Sequence, residues 1–193
     1  MRYQELNPAF TQALNKQWPS FSQAILNFAQ ELGLQDFSLD CDHVALRVND
    51  LDTAQDLLAY WQTQGKIISD NVINGRPIYI IDLDKPLQLG DWTIDCVELP
   101  FPSKQYKQQG WEHIELVIPG AATTMAQLEL DLAKFNPQLA ALLASDPTIK
   151  IKRSSPQGEK ERLPNPTIAF KRDNICIKIH SASIRAVLAS EAE

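Results

Sequence analysis

The sequence predicts an α+β chain: an N-terminal helical extension over residues 1–38, then two βαβββ modules over 39–104 and 105–193, forming one cup-shaped mixed sheet within one compact body. Three observations predict it. Apolar residues recur with a helical period up to about residue 32 and with a period of two from about residue 42. The order strand, helix, strand, strand, strand occurs twice, divided by the Pro-rich polar stretch PFPSKQYKQQG at 100–110. All three histidines fall on strand-like segments, at corresponding ends of the two modules.

Taken in order, residues 7–18 read as a short helix with Asn7 at its cap and Pro8 in its first turn. A second helix follows, which Ser20 can cap. Its apolar face carries Phe21, Ile25, Phe28, Ala29 and Leu32, and Gly33 stops it. This extension holds no chemically active residue and reads as a packing appendage. In DHVALRV at 42–48, Val44, Leu46 and Val48 share one strand face, and His43, Ala45 and Arg47 share the other. A helix over about 51–64 ends at Gly65. Strands at 66–72, 77–83 and 92–99 follow, with turns at Asn74-Gly75 and Gly90-Asp91. The second module repeats the order. Its first strand, WEHIELVI at 111–118, sets Ile114, Leu116 and Ile118 opposite Trp111, His113, Glu115 and Val117. A helix over 123–135, a further turn or helix over 137–145, and strands at 148–153, 166–171 and 174–180 complete it. Residues 154–165 form a long polar loop with Pro-stiffened ends, either a lid over the cup or a fixed strap.

Composition narrows the function classes. A chain of 193 residues, 44% hydrophobic and with a net charge of −6, is an ordinary globular protein that does not favour nucleic-acid phosphates. It has no apolar run of membrane-spanning length and no apolar leader within its first residues, so no membrane association is expected. Cys41, Cys96 and Cys176 are odd in number and form no CxxC pair, which predicts free thiols and a cytoplasmic location.

The residues that carry chemistry share a placement. His43 and His113 lie on the first strand of each module, and Glu98 and His180 on the last. Each lies opposite an aliphatic face: Val97 and Leu99 behind Glu98, and Ile175, Ile177 and Ile179 behind His180. With the aliphatic faces packed on helices, the other faces line a cup in which these four side chains can meet. Taken alone, a strand histidine is ordinarily a hydrogen-bonded structural residue and a lone glutamate a solvated one. The joint placement of every histidine on the cup side favours a divalent transition metal held by His43, Glu98, His113 and His180. Two imidazoles and a carboxylate suit Fe(II), and a further imidazole also suits Zn, Ni or Mn. Glu115 shares a face with His113 and reads as a partner that orients a ligand, a substrate contact or a base, whereas Glu112 points elsewhere. The cysteines share the cup face and read as small residues on its floor. Arg47, on the face of His43, with Arg76 in the turn NGRP and Arg153 beside the long loop, are candidates to grip an anionic substrate. Lys160 and Glu161 read as solvated loop charges.

The stretches DHVALRV, INGRPIYIIDLDKPLQL, VELPFP, GWEHIELVIPG, SSPQGEKERLPNPTIA and IKIH resemble the bacterial YecM family of metal-binding proteins, over roughly residues 20–190. That family is similar in fold to the vicinal oxygen chelate superfamily, which includes glyoxalase I, extradiol dioxygenases and bleomycin-resistance proteins. The resemblance implies paired βαβββ modules with metal ligands on their first and last strands, at the positions of His43, Glu98, His113 and His180. Glyoxalase I presents a glutamate where this chain has His180, which argues against glyoxalase activity. The three-ligand set of extradiol dioxygenases is matched by His43, His113 and Glu98, with His180 as a fourth ligand or an acid/base. The expectation is therefore a metal-dependent isomerase or oxidoreductase acting on a small oxygenated, anionic molecule, with Glu98, Glu115 or His180 moving a proton. The alternative is a protein that sequesters a small molecule without catalysis, as bleomycin-resistance proteins do. Either a monomer or a homodimer suits the sequence, because both modules lie in one chain.

Overall fold

The computed structural model describes residues 8–35, 37–156, 158–160 and 162–190. Along the chain come α1 (Pro8–Glu31), β1 (Asp40–Arg47), α2 (Leu51–Trp61), β2 (Gly65–Ile73), β3 (Arg76–Leu89) and β4 (Trp92–Pro100). The second half holds β5 (Gly110–Val117), α3 (Met125–Phe135), α4 (Leu139–Ser145), β6 (Lys150–Ser154), β7 (Thr167–Arg172), β8 (Ile175–His180) and α5 (Ile184–Ala189). The strands form one eight-stranded sheet in the order β2-β3-β4-β1-β5-β8-β7-β6. The two first strands, β1 and β5, lie antiparallel at its centre, and each pairs in parallel with the last strand of its own half, β4 or β8.

Strand parity decides which face packs. Val44, Leu46, Val97, Leu99, Ile114, Leu116, Ile177 and Ile179 are all buried against the helical layer. Removing each such side chain from water contributes about 1.5–3 kcal/mol. The opposite face is left concave. The helices start where short polar side chains accept a free N–H: Asp50 from Thr53 for α2, and Thr124 from Gln127 for α3.

Two elements differ from the expectation. The extension is one helix, not two, and runs through Pro19. Leu14, Trp18, Phe21, Ile25, Phe28 and Leu32 follow one another at spacings of four and three, so a single apolar stripe packs across the sheet. That continuous burial outweighs the cost of an interior proline, about 3 kcal/mol. The expected cap, Asn7, lies outside the described residues. The second difference is α5, which the sequence reading lacks. Ser183 caps it by accepting the Ala186 N–H at 3.2 Å.

The long loop is a strap. Gly158 bridges to Ile73, and the Glu159 N–H donates to Val72 O at 3.1 Å, both on the far edge strand β2. Lys160, expected to be solvated, puts Nζ 2.5 Å from Asp70 Oδ1. Farther on, the Arg162 and Leu163 N–H groups donate to Ser190 Oγ after α5. The loop thus joins opposite edges of the curled sheet and closes one side of the cup.

Candidate metal centre

Two β-bulges shape the centre. Along the β1–β5 ladder, pairing jumps from Cys41–Leu116 to His43–Glu115, and from Ala45–His113 to Leu46–Trp111. Asp42 and Glu112 are the extra residues, each directly before a cup-facing histidine. Regular pleating would turn both away; a bulge re-aims the side chain. Asp42 Oδ2 lies 3.2 Å from His43 Nδ1, and Glu112 Oε2 is hydrogen-bonded to His113 Nδ1. The expectation that Glu112 points elsewhere is thereby corrected. His180 Nδ1 lies 2.6 Å from the Ala182 carbonyl oxygen.

All three partners are acceptors, so each Nδ1 is the donor to its partner and Nε2 is the nitrogen left to face the hollow. These nitrogens face one hollow. His43 Nε2 is 3.4 Å from Glu115 Oε1 and 3.6 Å from Glu98 Oε2, and His180 Nε2 is 3.2 Å from Glu115 Oε2. Both His43 Nε2 and His180 Nε2 are buried outside hydrogen-bonding geometry. His113 Nε2 is 3.1 Å from Glu115 Oε1. Ligand atoms of His43, His113 and Glu115 all lie within 4.8 Å of one another, and this buried group can hold a metal ion.

The sequence expectation thus meets the structure in one hollow, with a different inner set. His43, His113, Glu98 and His180 converge, but Glu115 stands in the tight group. Glu98 borders it through His43, with 14% of its side chain exposed, and His180 borders it through Glu115. The assumed equivalence of Glu98 and His180 is also corrected. Ala45 pairs with Glu98 and Glu115 with Lys178. Since the β1–β5 ladder exchanges 43 with 113 and 45 with 115, Glu98 corresponds to Lys178, and His180 lies two residues further along β8.

Charge balance is informative. Asp42, Glu98, Glu112 and Glu115 surround the histidines, whereas among the described residues the permanent cations touching them are Arg47 on Glu112 and Lys178 on Glu115, the latter at 2.7 Å. Four carboxylates against two cations leave two negative charges. Without a metal, protons on the imidazoles answer them. Burial opposes charge on His43, but Glu115, Asp42 and Glu98 hold its pKa well above the ordinary 6.5. At His113 burial and Lys178 push downward, and Glu112 and Glu115 outweigh them. Burial would raise Glu115, yet Lys178, His43, His113 and His180 hold it well below 4.5. Glu98 and Glu112 are likewise lowered against burial, Glu98 by His43 and Lys178, Glu112 by His113 and Arg47.

The hollow opens into a cavity of about 730 Å³. Ile73, Ile78 and Ile184 line one side, and Lys150, Lys152 and Lys171 the other. Arg47 and Arg76 also reach it, tied together by Tyr106: the Arg47 guanidinium lies 4.4 Å from the ring centroid, and Arg76 donates to the phenol oxygen at 3.0 Å. Arg153 does not line it. Strand parity turns it to the helix side, where Nε lies 2.5 Å from Glu129 Oε1. The cysteines are free and buried; burial pushes the Cys96 thiol up to about 11 and Cys176 up to about 12, which leaves them inert packing residues near neutral pH.

Fold and hollow together define a protein of paired βαβββ modules with a buried histidine–carboxylate group at their junction. The YecM protein family model matches residues 10–191, and the chain belongs to that family. It is 40% identical over 178 residues to Protein YecM of Escherichia coli K12, covering 90% of this chain and 89% of that one. It is 36% identical over 182 residues to an uncharacterized protein of Haemophilus influenzae, covering 91% and 92%. The solved structure of a structural-genomics protein designated EC4020 superposes with a TM-score of 0.79 at 35% identity, covering 99% of this chain and 97% of that one.

Proposed function

We infer that the chain is a divalent-transition-metal-dependent enzyme of the isomerase or oxidoreductase kind, acting on a small oxygenated molecule with an anionic group. One observation carries this reading. Three imidazoles have Nδ1 fixed by an acceptor and Nε2 turned into a hollow that lacks two positive charges. A structural histidine needs no such arrangement, whereas a metal-binding histidine is ordinarily held by a carboxylate or carbonyl on its other nitrogen. His43, His113 and Glu115 would hold the ion, with Glu98 or His180 beside it. Such an ion, Zn, Ni, Fe or Mn by the donor set, supplies Lewis acidity toward a substrate oxygen.

The chain's own groups would do the rest. Glu98, deprotonated and partly open to the cavity, can accept a substrate proton, and His180 can relay one. Arg47 and Arg76 stand at the wall to orient an anionic end, while Ile73, Ile78 and Ile184 exclude water from an apolar one. The test is elemental analysis of protein purified without an affinity tag, before and after metal addition. Stoichiometric metal that H43A and H113A lose is the expected result. No metal as purified, and none taken up on addition, overturns the reading.

A second reading has its own observation. Lys178 already gives Glu115 a cation, so the cup holds together without a metal and can sequester a small molecule without catalysis. Thermal protection by a ligand in the presence of a chelator would favour it.

A further inference from the structure

Lys178 lines the same cavity as the histidines. It sits on β8, paired with Glu115, in the place that Glu98 occupies in the first module. The pseudo-twofold arrangement therefore faces a carboxylate on one side of the hollow with an ammonium on the other. Its Nζ contacts Glu115 Oε1 at 2.7 Å, its side chain is 27% exposed, and it lines the cavity. An ammonium has three N–H donors. One goes to Glu115; the others have no partner among the described residues and face the cavity. Lys150, Lys152 and Lys171 also line the cavity, on the β6–β7 side, and raise the local concentration of an incoming anion.

We propose that Lys178 is the substrate-anion receptor of this site: its ammonium takes a carboxylate or phosphate oxygen of the small molecule that the centre acts on. This rests on the metal-dependent reading above. A symmetric pair of modules with a carboxylate at both places would close the hollow around a cation and repel an anionic substrate. Replacing one carboxylate with lysine opens one side to negative charge, while Glu115, on the neighbouring strand, restores an acidic donor beside the histidines. Lysine binds such an oxygen as a point charge and needs no planar two-pronged geometry. The simpler role, neutralising Glu115, uses one of its three donors.

The experiment compares wild-type protein with K178M and K178R, each loaded with Co(II) and titrated with oxalate in one arm and inorganic phosphate in the other. Co(II) absorption reads the centre, and calorimetry reads the anion. K178M is expected to retain Co(II) and to bind the preferred anion about tenfold more weakly or worse, with K178R close to wild type. The arm that responds tells carboxylate from phosphate. Should K178M not fold, K178Q carries the same expectation. Anion affinity in K178M or K178Q within twofold of wild type, or no anion binding by wild type in either arm, overturns the proposal while leaving the metal reading intact. Failure of wild type to take up Co(II) overturns the metal reading, and the proposal with it.

Discussion

At the scale of single residues, the centre depends on the carboxylates that hold its histidines. Asp42 and Glu112 fix which nitrogen of His43 and His113 carries a proton, and therefore which one is free. Removing such a partner typically lowers metal affinity by about 10- to 100-fold. Glu112→Ala should show a loss of that size in competition with a chromophoric chelator, and Glu112→Gln, which keeps an acceptor oxygen, a smaller one. Equal affinity in all three proteins would show that the tether is dispensable. Both histidines were legible from strand parity; their carboxylates were not. Parity assumes regular pleating, and Asp42 and Glu112 sit in bulges that only pairing between β1 and β5 creates. The available signal was the repeated acid–histidine step, Asp42-His43 and Glu112-His113, 70 residues apart.

At the scale of elements, the centre is held by how closely strands and helices pack behind it. Gly65 opens β2 with ordinary backbone, yet a Cβ there would come 2.1 Å from the Asp82 carbonyl oxygen on β3. Gly65→Ala must push two paired strands apart and is expected to cost about 1–3 kcal/mol or more. Ile177, fully buried on β8 directly between Cys176 and Lys178, is expected to cost about 2–5 kcal/mol on truncation to alanine. Urea unfolding monitored by circular dichroism gives both values, and a loss below about 0.5 kcal/mol, the size of an ordinary surface change, would contradict the packing described here. The strands and most helices were legible because alternation and helical period are local properties. α5 was not: six residues are too few for a period to emerge, and it is placed by the Ile184 N–H donating to Asp42 at 2.8 Å, a contact 142 positions apart.

At the scale of the whole molecule, proton and metal compete for the same two charges. In the metal-free protein, His43 and His113 are raised, so their contribution to stability is complete below about 6.5 and fades as pH rises through the raised values. Glu98, Glu112 and Glu115 are lowered, so theirs is complete above about 4.5 and fades as pH falls through the lowered values. Metal-free protein should therefore melt highest between about pH 4.5 and 6.5 and lose stability toward pH 9. Metal reverses the alkaline trend, because it binds deprotonated imidazoles, and should release about two protons near neutral pH. Calorimetry in buffers of different ionisation enthalpy counts them; a release near zero would mean that the imidazoles are already neutral in the metal-free protein. Metal at a hundred times its Kd should add about 2.7 kcal/mol to the stability.

By itself the sequence determined the periods of its elements, the aliphatic faces that must be buried and the candidate histidines on the opposite faces, because these follow from side-chain polarity along the local backbone. Tertiary structure decided what register controls. It set Lys178 opposite Glu115 instead of a second carboxylate, drew Glu115 into the inner group, turned Arg153 away and tied the strap to β2. A shift of one residue in strand pairing sends a side chain to the other face, and that shift is fixed only by the partner strand, about 70 residues distant.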